Sequence, residues 1–182
     1  MKLFVLFFFT NLTLFGQQVD SVKIHLEEIY QENFDLRKKV MPTVREYGFD
    51  SPQMNSLDES IKHFDATSLI YVKSIIDEFG WMGKSRIGDM ANQAIYLTIQ
   101  HSSNSDDRIQ YFPLLQQSCD EGESDKSDMA TMYDRIQVEA GKDQLYGTQS
   151  RMVDGQLQLY PIEDEPNVNK RRKKVGLRKL KL

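Results

Sequence analysis

Residues 57–79, LDESIKHFDATSLIYVKSIIDEF, decide the fold class. Leu57, Ile61, Phe64, Ser68, Leu69, Val72, Ile75, Ile76 and Phe79 recur at intervals of three and four, so they fall on one side of an α-helix and give it a face to bury. Asp50, Ser51 and Pro52 supply a turn in front of it. Upstream, Val22, Leu26, Ile29, Asn33, Leu36 and Val40 repeat the pattern, until Pro42, which has no amide hydrogen, breaks or kinks the helix ahead of Gly48.

Downstream, the glycines of 80–88 predict a loop carrying one large aromatic, Trp81. Asp89 is suited to cap a third helix whose Met90, Ala94, Leu97 and His101 share a face. A fourth helix over 107–119 bends at Pro113 and stops at Gly122. A polar link, Ser124 to Ser127, leads into a fifth with Met129, Met132, Tyr133, Ile136 and Ala140 as its apolar stripe. After Gly141 the period changes to alternation: 145–153 and 156–162 flank Asp154 and Gly155, a strong hairpin signal. A two-residue turn there pairs Val153 with Gln156, Met152 with Leu157 and Gln149 with Tyr160. Pro161 suits an edge strand. The expected fold is mainly α: five to six helices in one domain over 17–182, a single β-hairpin near 144–162, and a C-terminal helix in a basic segment, 167–182.

The N-terminus is expected to be a signal peptide over residues 1–16. Lys2 gives a positive start, Leu3 to Phe15 an apolar run, and Gly16 a small residue before Gln17 and Gln18. That run is short of the roughly 20 apolar residues a spanning helix needs, so export is expected rather than anchoring, to the periplasm or beyond. Cys119 is the only cysteine, which excludes an intramolecular disulfide and any cysteine-based metal cluster; with no activating base beside it, it reads as a small buried residue. Eight of the 23 basic residues lie in the last thirteen positions, and the other 15 set against 27 acids leave the remainder at −12. The basic segment is therefore expected to dock on its own acidic body, or to touch an anionic surface through Lys170, Arg171, Arg172, Lys173 and Lys174. Export makes nucleic acid an unexpected partner, and no transmembrane segment remains after cleavage.

Trp81 with Gly83 and Gly88, then Gln100 and His101, Asp134 and Arg135, Gly141, Gln144, the run Tyr146, Gly147, Thr148 and Gln149, and finally Arg171, Arg172, Gly176 and Leu177 form an ordered pattern. Over 80–180 it resembles an uncharacterised bacterial family, the domain of unknown function 6624. The resemblance implies a bacterial source and a shared fold and brings no known reaction. Met82 stands where the family pattern carries a proline.

Among residues suited to chemistry, His101 ends its helix, where the dipole favours a protonated ring. Asp134 and Arg135 fall at the polar margins of the fifth helix, a solvated pair by periodicity alone. A hairpin folded over them would let Asp134 receive an amide and Arg135 hold a carboxylate or a carbonyl. Gln144, Tyr146, Thr148 and Gln149 offer amide and hydroxyl groups beside Gly147, although strand alternation puts Gln149 on the face opposite the other three. His25 and His63 sit among ordinary surface residues. Zinc-site spacing, a calcium loop, a phosphate-cradling glycine loop and a serine elbow are all missing from the sequence, and no metal or cofactor is expected.

The sequence supports two functional readings. The first is a non-enzymatic exported binding module whose partner, a small molecule or a protein, contacts Trp81, His101 and the hairpin residues. The alternative is a hydrolase-like enzyme with His101 as general acid or base, oriented by Asp134, and with Arg135 and 144–149 binding substrate.

Overall fold

The computed structural model describes residues 4–153 and 156–181, with side chains from residue 16 onward. The fold is mainly α with a single two-stranded hairpin near the C-terminus, as the periodicities predict. The chain resolves into two compact units, 1–98 and 99–182, and the division falls inside one helix, between Thr98 and Ile99.

The first unit begins with α1 (Phe4–Arg37) and α2 (Val40–Tyr47). The predicted break therefore falls at Lys38 and Lys39. Pro42 sits in the first turn of α2, where its missing amide hydrogen has no helical partner to lose. The expected signal segment is partly outside the described residues, and from Phe4 its backbone is part of α1. Helix α3 (Pro52–Phe79) starts where the turn was expected: Ser51 is extended, its hydroxyl accepts the Met54 amide, and Pro52 occupies the first helical position. Phe64, Ser68, Val72, Ile75 and Ile76 are buried along α3, and Val22, Leu26, Ile29 and Asn33 along α1.

Gln18 of α1 bonds Glu78 of α3 at 2.7 Å, and Arg37 grips both oxygens of Asp65 at 2.8 Å, so the two helices run antiparallel. Asp65 is half-buried, and desolvation raises its pKa more than Arg37 lowers it. The loop after α3 is shorter than predicted, since α4 (Lys84–Gln100) already includes 84–87. Gly88, at φ 81°, kinks α4 at the point where Asp89 was expected to cap it. Its buried face is also rotated from the expected one. Met90 is half-exposed, whereas Ala91, Ala94, Ile95 and Ile99 are fully buried.

The second unit contains α5 (Ser105–Asp120), α6 (Lys126–Glu139), β1 (Ser150–Val153), β2 (Gln156–Leu159), a 3-10 turn (Glu165–Asn167) and α7 (Val168–Lys174). Helix α5 carries Pro113 in its interior and is followed by Gly122 at φ 79°, as expected. Strands β1 and β2 pair antiparallel with Val153 opposite Gln156 and Met152 opposite Leu157, the predicted register. Gln149 and Tyr160 extend it, through the Tyr160 amide on the Gln149 carbonyl. The turn residues Asp154 and Gly155 lie outside the described residues. Both strands are shorter than predicted, because residues 145–149 form a bend in place of a strand.

No described helix is long and apolar enough to cross a membrane. Replacing Ser51 with Ala removes the α3 cap and is expected to lower stability by about 1 kcal/mol in denaturant titration, with α3 otherwise retained.

Candidate functional site

Of the candidate residues in the second unit, Asp134, Gln144, Tyr146, Thr148 and Gln149, but not His101 or Arg135, meet at the bend that replaces the predicted strand. Its centre is Asp134 on α6, which has no solvent exposure. One carboxylate oxygen accepts the amides of Leu145 at 2.7 Å and Tyr146 at 2.9 Å; the other accepts the Thr148 amide at 3.0 Å and its hydroxyl at 2.9 Å. Closely spaced amides of a bent backbone form a natural anion cradle, here filled by a side chain of the same molecule. The expectation of a solvated Asp134 is thereby corrected. A carboxylate leaves water only when charged-group hydrogen bonds replace its hydration, and the bend supplies them.

The bend's carbonyls face the C-terminal segment. Arg171 donates through Nε to the Leu145 carbonyl at 2.8 Å and forks onto the Glu163 and Asp164 carbonyls; its ion pair with the Asp164 side chain is 3.1 Å long. Arg172 donates to the carbonyls of Tyr146 at 2.7 Å and Gly147 at 3.2 Å, and also to that of Arg178. The peptide groups of 145–147 are thus held between an anion on the amide side and two cations on the carbonyl side. Desolvation lowers the Arg172 pKa, with the Asp134 charge opposing it. Of the two expectations for the basic segment, docking on its own body describes these two arginines, which brace the bend through its carbonyls and not an anionic surface; Lys170, Lys173 and Lys174 remain exposed.

Gln144 is fully buried and acts as an inserted peptide group. Its amide nitrogen donates to the Gln149 and Tyr160 carbonyls, both at 2.9 Å, and its oxygen accepts the Gln149 amide at 2.8 Å. The Gln144 backbone bonds Pro161 and Glu163, forming a parallel bridge to Ile162. Gln149 donates to the Thr148 hydroxyl at 3.0 Å, so these side chains do meet, because the chain bends and strand alternation does not apply. Tyr146 is half-buried against the edge of Tyr133, and burial, then the Asp134 charge, raises its pKa.

Arg135 holds Glu139 one turn along α6 at 3.1 Å. The same carboxylate takes Arg108 in a two-pronged pair at 2.6 and 3.0 Å, and Arg108, itself buried, also donates to the Ser102 carbonyl at 2.6 Å. Sequence reasoning missed Arg108 and Glu139: they are 31 residues apart, and neither stands out in its own helix. His101 is half-buried one residue past α4, beside a turn closed by the Ser102 hydroxyl on Asp107 at 2.5 Å. Trp81 belongs to the first unit and is half-buried there; the Met82 that follows it is buried, with its carbonyl accepting the Asn92 side chain at 2.8 Å. Cys119 is buried as expected, and burial, then the charges of Asp128 and Asp125, pushes its thiol up to about 11.

Among the described residues no group of three or more His, Cys, Asp or Glu side chains is placed to hold a metal. The bonds on Asp134, Gln144, Arg171 and Arg172 together fix one backbone bend.

Replacing Asp134 with Asn keeps the shape but aims an amide at donors. It is expected to cost about 3 kcal/mol in denaturant titration, from hydrogen bonds to a charged group and the donors left buried. Gly147→Ala is expected to cost at least about 2 kcal/mol by the same measurement. Its Cβ would lie 2.8 Å from Leu180 and 2.9 Å from Ile162, at a φ of +68° that disfavours any side chain.

No match was found among curated proteins or solved structures. A family model does match, over residues 29–182, a longer span than the 80–180 of the sequence pattern and one that contains the whole Asp134 bend. The chain belongs to the family of unknown function DUF6624.

Proposed function

We propose that this chain is an exported protein of the periplasm or the extracellular space and works as a non-enzymatic interaction module, with the second unit presenting its contact surface. One observation carries the reading. The polar groups best suited to bind or transform a ligand are occupied by the scaffold: Asp134 by the bend, Arg135 by Glu139, and Gln144 by the base of the hairpin. A hydrolase built on His101 would draw on Asp134 to orient it and on Arg135 to hold substrate, and the bonds described bind both groups elsewhere. The positive charge left outward, on Lys170, Lys173 and Lys174, supports an anionic partner.

Export rests on the basic start, the apolar run and the small residue at Gly16. The full chain, expressed in a bacterial host with two membranes, is expected in the periplasm or the medium with an intact mass that begins at Gln17. Recovery from the cytoplasm with Met1 or Lys2 still in place would overturn export.

The non-enzymatic part is checked separately, by assaying wild type and His101→Gln on ester, phosphoester and peptide substrates. Neither is expected to turn any over. Turnover lost in the variant at an unchanged melting temperature would put the hydrolase reading in its place.

A further inference from the structure

Every described strand residue of the hairpin except Val153 is exposed. Met152, Leu157 and Leu159 are 55%, 73% and 39% exposed. The register sets Met152 directly opposite Leu157 and Ser150 opposite Leu159, so the three large side chains share one face of the two-stranded ribbon. The other face carries Arg151 and Gln158, with the Arg151 guanidinium over the Tyr160 ring at 5.3 Å. An isolated two-stranded ribbon with exposed apolar side chains is poorly stable in water alone, and among the described residues the side-chain bonds that secure this one lie at its base, through Gln144.

The same base is where the basic segment docks. Leu180 and Ile162 both reach Gly147, closely enough that an added Cβ there would lie within 3 Å of each. Asn169 clamps Leu180 with two bonds, its Nδ2 donating to the Leu180 carbonyl at 3.1 Å and its Oδ1 accepting the Leu180 amide at 2.7 Å. Arg172 holds the Arg178 carbonyl at 2.6 Å. The apolar side chains of this segment point inward, with Val168 and Val175 buried, while Lys170, Lys173, Lys174, Arg178, Lys179 and Lys181 are exposed. No acid lies between Lys170 and Lys181 in the sequence. The cations are held in place by the fold, and they stand at the root of an amphipathic ribbon.

The geometry points to a peripheral membrane-binding surface: the Met152, Leu157 and Leu159 face enters the interface of an anionic bilayer while the lysines and Arg178 engage its headgroups. This rests on the interaction-module reading and supplies its partner. Charge complementarity selects the anionic leaflet, and the apolar face selects a bilayer over a soluble polyanion, which would leave that face in water. The surface requires no spanning helix.

The test reads the ribbon itself, in the full chain, with an environment-sensitive fluorophore on Leu157→Cys; Cys119 is buried and stays unlabelled. Vesicles of phosphatidylcholine containing one third phosphatidylglycerol are expected to shift the emission to the blue, and brominated acyl chains to quench it. Pure phosphatidylcholine is expected to leave the probe in water. Replacing Lys170, Lys173 and Lys174 together with Gln is expected to weaken the fluorescence-detected partitioning by roughly a hundredfold. Met152→Cys, labelled likewise, gives the same reading from the opposite strand.

A probe that stays in water on the anionic vesicles overturns the inference, as does an equal shift on both lipids. A blue shift that needs no vesicles and grows with protein concentration also overturns it, and assigns the apolar face to a second copy of the chain. A silent probe on a chain that is nevertheless exported leaves the interaction-module reading standing without this partner. Cytoplasmic retention bears on export alone.

Discussion

The second unit depends on one buried carboxylate. Asp134 has no access to water, and its hydration is replaced by the backbone of 145–148, turned so that its amides point inward. That orientation leaves the corresponding carbonyls pointing outward, where Arg171 and Arg172 take them. Each half requires the other. Without the arginines the outward carbonyls would lack their donors, and without the aspartate the inward amides would lose their acceptor. The polar core so formed adds little apolar burial. Its contribution is a single backbone conformation at the place where the hairpin begins, since few other bends bring those donors to two oxygens.

The parts of this arrangement that sequence periodicity exposes are those whose partners are close in the chain. Residues 57–79 bury one face because their neighbours along a single helix share it, and repetition makes that visible. The hairpin register followed from Asp154, Gly155 and alternation on either side. Residues 145–149 alternate too, yet they bend, because alternation counts polarity and carries no information about which amides a distant carboxylate will attract. The donors to Asp134 lie 11 to 14 residues away and the Arg171 contact spans 26, beyond anything a helical wheel samples. The side chains of the site could therefore be named from the pattern they share with their family, but their roles could not. Asp134 looked solvated unless the hairpin folded over it, Gln149 looked misdirected, and the basic segment was expected either to dock on the body of the protein or to touch an anionic surface.

The rotated face of α4 has a related cause. Met90, Ala94 and Leu97 do share a side of the helix after Gly88, but burial centres on the neighbouring side, where Ala91, Ala94, Ile95 and Ile99 are fully buried and Met90 is half-exposed. Hydrophobicity alone favours Met90 and Leu97, whereas the small Ala91 and the polar Asn92 are the residues that are buried. The unit of 99–182 shows the opposite contrast, between a base in which nearly every polar atom of Gln144 and Asp134 is bonded and a ribbon whose residues are almost all exposed. The bonds at the root and the solvent contact along the strands are the features on which the proposed contact surface draws.

The placement of Arg171 and Arg172 also sets the order in which the unit matures. They are synthesised after Asp134 and the bend, and until they emerge the carbonyls of 145–147 lack the donors they have in the fold. Asp134, synthesised well before them, must wait in a partly wetted nest. The unit is therefore completed only once Arg171 and Arg172 have emerged, and a chain that stops short of Arg171 carries an open bend, which marks it as unfinished for proteases that act on exposed backbone.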